Sequence, residues 1–211
     1  EEHPAAGMAT SKVTVIGRPG LLHTTGDTVD LAGRPGNRGA WESDTGQWDD
    51  RLDVFGANAA AAAYRRRLLD DVGAFETAFG SYLEDVDLAW RARLAGHGCV
   101  YAPRAVVAHH VSGTGGGVLA SYLVARNRVW LIARNYPTRL LVRHLRVVVR
   151  GLAAEARSAS VAWRGPEARA TLRGLVVGLL TWPRMLAARR RIQAGRVLTD
   201  PELEALLSGP D

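Results

Sequence analysis

Tyr82-Leu83-Glu84-Asp85-Val86-Asp87-Leu88-Ala89-Trp90-Arg91-Ala92-Arg93 is the most informative stretch of this sequence. It predicts a helix over residues 84–95, because acids fill the first turn, arginines fill the last, and Gly96 follows as a stop. Acids at such a position are often only helix caps. The alternative is that one of them is a general base, held at the helix start above a cleft. Asp85 and Asp87 point to different faces of this helix, so their roles can differ.

Strands are predicted on both sides of this helix. Residues 13–16 are apolar and β-branched and are closed by Gly17. Residues 99–101 and 105–110 predict two further strands, which Pro103 separates.

The segments between these elements are less regular. Residues 26–53 are polar and rich in Gly, Asp and Trp, which indicates a long functional loop. The alanine run at residues 59–63 has helical propensity, and residues 65–72 predict a short helix that Gly73 stops. Residues 113–117 include three consecutive glycines without the Lys-Ser/Thr of a P-loop, so a hinge is predicted there.

The composition is that of a globular protein, with 47% hydrophobic residues among 211. A single cysteine, Cys99, excludes an internal disulfide framework and is expected to be a small buried thiol. No run of about 18 apolar residues is present, so no membrane-spanning helix is predicted. Basic and aromatic residues are not interleaved and no recognition motif is present, so a nucleic-acid partner is not expected.

The net charge of +6 is concentrated in the C-terminal part of the chain. Residues 139–196 hold 13 arginines against Glu155 and Glu167. Five of these arginines share one stripe of a predicted helix: Arg139, Arg143, Arg146, Arg150 and Arg157. This pattern fits either a solvated helix face or a basic amphipathic helix that lies on an anionic membrane surface.

His109 and His110 form a second group of candidate site residues. Adjacent side chains on a strand point to opposite faces, so at most one of the two rings can bind a given metal. No further Cys or His has zinc-finger spacing, so a structural zinc is not expected.

Several short motifs occur in a specific order, namely Asp53-Val54-Phe55-Gly56-Ala57-Asn58, Val72-Gly73-Ala74-Phe75, the 82–93 stretch, Val100-Tyr101-Ala102-Pro103 and His109-His110. In this order they resemble the C-terminal half of glycosyltransferase family 2, above all its bacterial rhamnosyltransferase-like and galactofuranosyltransferase-like members. The resemblance covers most of residues 1–135 and continues weakly through Arg126-Asn127-Arg128.

The resemblance implies an α/β fold of GT-A type over residues 1–135, followed by a basic, amphipathic helical tail over residues 136–211. It implies inverting transfer of a sugar from a nucleotide-diphosphate donor to a hydroxyl of a cell-envelope glycan or lipid-linked acceptor. Asp85 matches the family's catalytic base, and Glu84 its partner, which orients the acceptor. His109 matches the histidine that binds a divalent metal, Mg²⁺ or Mn²⁺.

Further roles follow from the same resemblance. The alanine run at 59–63 becomes a strand of the sheet, against its own propensity. Independently of the resemblance, the single cysteine favours a reducing compartment and the basic helices suit a membrane surface, so the protein is expected in the cytoplasm, peripheral at the inner face of the cell membrane. Seven residues are expected to contact the acceptor: Trp41, Asp44, Gln47, Trp48, Asn58, Asp87 and Arg91.

The sequence departs from the family in one respect. Family members carry an Asp-x-Asp motif in an N-terminal nucleotide-binding half that these 211 residues do not contain, and Asp27-Thr28-Val29-Asp30 has the wrong spacing. We therefore expect the acceptor side and catalytic base of a larger enzyme, inactive or very weak by itself. The alternative function is a non-enzymatic membrane-peripheral or polyanion-binding module that uses the arginine-rich helices.

Overall fold

Strand β1 (Ala6–Val15) organises the sheet in the computed structural model, which describes residues 3–110 and 116–208. β6 (Gly98–His109) pairs with β1 in parallel along its whole length. Two short antiparallel strands pair with the other edge of β1: β2 (Leu22–Thr24) and β5 (Ala62–Tyr64). A separate hairpin joins β3 (Asp27–Val29) to β4 (Pro35–Asn37). The fold is mixed α/β, as the sequence predicted.

The long strands are more extensive than predicted. The strand expected at residues 13–16 begins at Ala6 and ends at Val15, because β6 supports it throughout. The two strands expected at 99–101 and 105–110 are one strand, β6. Ser11 pairs with Ala102 and Lys12 with Val106, so the residues between Ala102 and Val106 bulge out of register. The bulge contains Pro103, which has no N–H to donate, and the strand therefore continues past it.

Two other segments correct the prediction in part. The loop expected over residues 26–53 contains the β3–β4 hairpin, in which Asp27 pairs with Asn37. The strand expected over residues 59–63 is limited to β5, and residues 59–61 form a turn. Tertiary pairing with β1 overrides the helical propensity of the last alanines only.

Helices make up the rest of the described chain. The helix predicted over 65–72 is confirmed as α1, and that over 84–95 as α2; the glycines that follow them, Gly73 and Gly96, both have positive φ, 81° and 87°. The bounds are α1 (Arg66–Val72), α2 (Glu84–Leu94), α3 (Gly117–Asn135), α4 (Thr138–Val161), α5 (Pro166–Thr181), α6 (Leu186–Ala194) and α7 (Asp200–Ser208). Of the hinge predicted over 113–117, Gly113 to Gly115 lie outside the described residues.

Helix α2 is the centre of the core. Its residues from Val86 to Leu94 are all buried, and Trp90 packs edge-on against Phe55 and at a tilt against Tyr136. Leu203 and Leu207 of α7, at the end of the chain, belong to the same core. Residues 136–208 are therefore folded against the preceding part rather than separate from it. No helix in the described ranges is long and apolar enough to cross a membrane.

Candidate active site

The carboxylates of α2 follow a backbone turn that residues other than glycine rarely adopt. Tyr82 and Leu83 both have a φ of 67°. Left-handed conformations of this kind cost about 1–3 kcal/mol each and tend to occur at functional sites. The fully buried Asn127 of α3 holds the turn, because its Nδ2 donates to three carbonyl oxygens, those of Phe79, Ser81 and Tyr82, at 3.1, 3.0 and 2.7 Å.

Asp85 is oriented by backbone groups at this helix start. Its Oδ2 accepts from the Ala59 N–H at 3.0 Å, and its Oδ1 from the Val86 N–H at 2.9 Å. Burial raises the pKa of Asp85, although both hydrogen bonds favour the charged form. The result is a fixed carboxylate that is a stronger base than a solvated aspartate.

Asp27 lies in the same group, and the sequence analysis missed it. Only 1% of Asp27 is exposed, and its Oδ1 accepts from Asn58 Nδ2 at 2.8 Å. Its Oδ2 is buried and accepts no hydrogen bond from the described residues. Burial, and then the charges of Asp85 and Glu84, raise the pKa of Asp27 well above its usual value. We call Asp27, Asn58, Glu84 and Asp85 the carboxylate cluster.

Glu84 has a similar environment. Burial, followed by the charge of Asp85, raises its pKa, and its Oε2 is buried without a hydrogen-bond partner in the described chain. The cluster therefore gathers three carboxyl groups whose ionisation is disfavoured. Such perturbed groups at one place are typical of sites that handle protons.

Asn58 is engaged inside the cluster. Besides its bond to Asp27, its Oδ1 accepts from the Ala60 N–H at 3.2 Å, and its own N–H donates to Thr10 Oγ1 at 3.3 Å. Both ends of the side chain therefore hold the turn that presents Ala59 to Asp85. The geometry gives Asn58 a positioning role, and the acceptor contact predicted for it stays a prediction.

The structure does not bring His109 into the carboxylate cluster. The cluster contacts β1 at Thr10, through Asn58, whereas His109 pairs with Val15. The separation of five positions between Thr10 and Val15 corresponds to about 16 Å along a strand. His109 lies instead beside His23, with ring centroids 5.1 Å apart, while His110 is exposed.

His23 and His109 have two features of metal ligands. The Nδ1 atoms of His23 and His109 are both buried without a hydrogen-bond partner in the described chain. Burial and the proximity of His109 lower the pKa of His23, which favours the neutral, metal-binding form. However, no group of three or more Cys, His, Asp or Glu side chains within residues 3–110 and 116–208 has the arrangement of a metal site. These residues do not form a metal centre by themselves.

The loop predicted to border the acceptor site is held together by its own side chains. Carboxylate oxygens of Asp44 and Asp49 lie 3.0 and 2.9 Å from Nζ of the buried Lys12. Gln47 Nε2 and Trp48 Nε1 both donate to Glu42 Oε2, at 3.0 and 2.9 Å. Asp44, Gln47 and Trp48 therefore help to hold the loop, and their contact with an acceptor stays a prediction.

Trp41 is an exposed member of this loop and is open to a ligand. It is 57% exposed, has a φ of 66°, and packs edge-on against His23 with centroids 6.3 Å apart. An exposed aromatic ring in a strained backbone conformation is suited to stack on a sugar ring or another planar group.

Asp87 and Arg91 are a buried ion pair rather than an acceptor contact. Asp87 is fully buried; its Oδ2 accepts from Arg91 Nε at 2.8 Å, and its Oδ1 from Asn135 Nδ2 at 2.8 Å. Arg134 adds its Nε at 3.0 Å from Asp87 Oδ1. The guanidinium of Arg91 also donates to carbonyl oxygens at residues 72–74. These contacts replace the prediction for both residues with a structural role that joins α2 to α3.

Comparison with protein-family models and with curated proteins finds no match to this chain. The class of protein is therefore described by the fold and the site alone. It is a mixed α/β protein with an oriented, half-buried carboxylate at a strained helix start.

Proposed function

We propose that this chain is the acceptor-side and catalytic-base part of an inverting glycosyltransferase with a GT-A-type nucleotide-sugar fold. The observation that carries the proposal is Asp85, whose carboxylate is fixed by two backbone N–H groups and whose pKa is raised by burial. The order of motifs around it supplies the substrate class. The donor is a nucleotide-diphosphate sugar, and the acceptor is a hydroxyl of a cell-envelope glycan or a lipid-linked sugar.

In the proposed reaction Asp85 accepts the proton of the acceptor hydroxyl while that oxygen attacks the anomeric carbon. The bond between this carbon and the diphosphate oxygen breaks, and its electron pair leaves with the nucleoside diphosphate. Attack opposite the leaving group inverts the anomeric centre. Glu84, the neighbouring carboxyl, orients the acceptor by hydrogen bonding. A general base of this kind contributes about 10²–10⁴ to the rate.

Asp27 and Asn58 hold the turn that positions this base. Asn58 links the buried carboxyl of Asp27 to the turn whose Ala59 N–H binds Asp85. Burial, and then the charge of Asp85, raise the pKa of Asp27 well above its usual value, so the proposal assigns the retained proton to Asp27. Asp27 is thus a positioning residue, neutral while Asp85 is charged.

The divalent metal implied by the resemblance would need ligands from outside the described residues in addition to His109. No step of the proposed proton transfer depends on it. The function is tested by the release of nucleoside diphosphate from nucleotide sugars by the full-length gene product, with the Asp85→Asn variant for comparison.

Replacement of Asp27 is expected to stabilise the protein as the pH rises. The folded-state pKa of Asp27 lies above its unfolded value, so its favourable contribution is complete below about pH 4 and is lost as the pH rises through the folded-state pKa. Asp27→Asn removes this pH-dependent loss of stability, and its side-chain oxygen can still accept the hydrogen bond from Asn58. Thermal unfolding followed from pH 4 to pH 8 should give a melting temperature, relative to the wild type, that increases with pH.

The control for this prediction is Asp70→Asn, which removes an exposed carboxylate paired with Arg66. It should show no gain in melting temperature at higher pH. A wild-type advantage over Asp27→Asn that grows from acid to neutral pH would mean that Asp27 is ionised and satisfied, contrary to the assignment.

A further inference from the structure

Helices α4 and α5 expose much of the apolar surface of the molecule. Of the nineteen exposed large apolar residues in the described chain, eleven lie between residues 142 and 186. Three of them, Val142, Leu145 and Val149, are 67%, 49% and 54% exposed and follow one another at spacings of three and four along α4. They therefore form a continuous stripe on one side of that helix.

Unpaired arginines lie directly beside this apolar stripe. At 100° per residue, the arginine stripe predicted from the sequence is adjacent to Val142 and Val149 on the solvent side of α4. Its members are all exposed. Arg143 pairs with Glu204 at 2.8 Å, whereas four others form no ion pair with any residue in the described ranges: Arg139, Arg146, Arg150 and Arg157.

Helix α5 extends the same kind of surface. It packs mainly on α3, where Leu175 forms a small core with Ala125 and Val129, and Leu152 and Ala156 of α4 pack against the same core. Its outer side exposes Leu179 and Leu180, at 55% and 74%.

Tryptophans lie at both ends of α5. Trp163, in the turn that joins α4 to α5, is 57% exposed, and Trp182, directly after α5, is 42% exposed. Exposed tryptophans beside apolar and basic residues are typical of surfaces that insert into the headgroup region of a bilayer.

We infer that the outer face of α4 and α5 docks on an anionic lipid bilayer, with both helices in the plane of the interface. The arginines contact lipid phosphates, and the apolar stripe enters the boundary between headgroups and acyl chains. A soluble polyanion would satisfy the arginines but would leave the apolar stripe in water. This inference does not depend on Asp85 or on the proposed transferase activity.

The test is flotation of the purified full chain with vesicles of equimolar phosphatidylcholine and phosphatidylglycerol, compared with vesicles of phosphatidylcholine alone. We expect binding to the anionic vesicles that weakens as salt is raised. The triple variant Arg139→Gln, Arg146→Gln, Arg150→Gln should bind on the order of 10² more weakly. The control removes the same charge from exposed arginines elsewhere and should bind nearly as well as the wild type: Arg18→Gln, Arg34→Gln, Arg104→Gln.

A second variant tests the apolar part of the surface. Val142→Ser combined with Val149→Ser should weaken vesicle binding without changing the net charge, and circular dichroism should confirm that the helices remain folded. Equal losses in the two arginine variants would overturn the inference, since net charge rather than this surface would then decide binding. Binding to heparin or RNA without flotation on anionic vesicles would also overturn it, in favour of a soluble polyanion. The Asp85→Asn variant should float like the wild type.

Discussion

Asp85→Asn is expected to lower the turnover number of the proposed transferase by about 10²–10⁴. The amide can still accept a hydrogen bond from the Ala59 or Val86 N–H, so the turn is preserved. It cannot accept the proton of the acceptor hydroxyl, so the loss falls on kcat and much less on KM. The measurement is initial-rate kinetics of nucleoside diphosphate release with saturating donor.

The control for this variant is Asp70→Asn, on the exposed helix α1, which should retain wild-type turnover. Because burial raises the pKa of Asp85, the wild-type rate should also fall as the pH drops through that raised value, and the residual rate of Asp85→Asn should lack this acid limb. Near-normal turnover by Asp85→Asn would remove Asp85 from the role of base.

Asp87→Asn is expected to destabilise the fold by about 3–5 kcal/mol, because it leaves the buried Arg91 guanidinium without its counter-charge and removes one of the two carboxylates that pair with Arg134. Arg91 Nε and Arg134 Nε both lie within 3.0 Å of the Asp87 carboxylate, which is fully buried. The amide would also place an N–H group against one of these donors. The measurement is urea unfolding of the purified chain, with the midpoint and slope compared with those of the wild type.

A matched control exists on α1. Asp70 pairs with Arg66 at the same four-residue spacing and at 3.0 Å, but these side chains are 61% and 88% exposed. Asp70→Asn should therefore cost at most about 1 kcal/mol. A loss for Asp87→Asn as small as that for Asp70→Asn would contradict the structural role and would reopen the acceptor contact predicted from the sequence.

Features that depend on neighbours in the chain were predictable. The first turn of α2 and the glycine stops of α1 and α2 follow from local signals. At the last helix, the Thr199 N–H donates to Glu202 Oε2 at 2.7 Å and the Glu202 N–H donates to Thr199 Oγ1 at 3.5 Å, which is a reciprocal capping contact between near neighbours.

Features that depend on distant pairing were not predictable. Asp27 enters the carboxylate cluster because its backbone pairs with Gly56, which precedes Asn58 by two residues. Nothing local marks this contact, and spacing alone had set Asp27 aside as a failed Asp-x-Asp motif. The unbroken length of β6 has the same cause, since its parallel pairing with β1 continues beyond Pro103.

The roles of polar residues were the least accessible part of the site. Asp87 and Asp85 are two residues apart, yet one is fully buried between arginines and the other is held by backbone N–H groups at the helix start. Their difference in direction follows from helix geometry, but the arginine from α3 that faces Asp87 could be identified only from the packing. In the motif Arg126-Asn127-Arg128, Asn127 holds the strained turn before α2, and no local pattern indicates that role.

The most direct test of the transferase assignment is to incubate the full-length gene product with a panel of nucleotide-diphosphate sugars and an extract of its own cell-envelope glycans and lipid-linked sugars. Nucleoside diphosphate release and sugar incorporation are then measured together. The proposal predicts that one donor yields both products in equal amounts, with inverted anomeric configuration in the new linkage. A retained configuration, or no turnover of any donor by the full-length protein with its native acceptors, would contradict it.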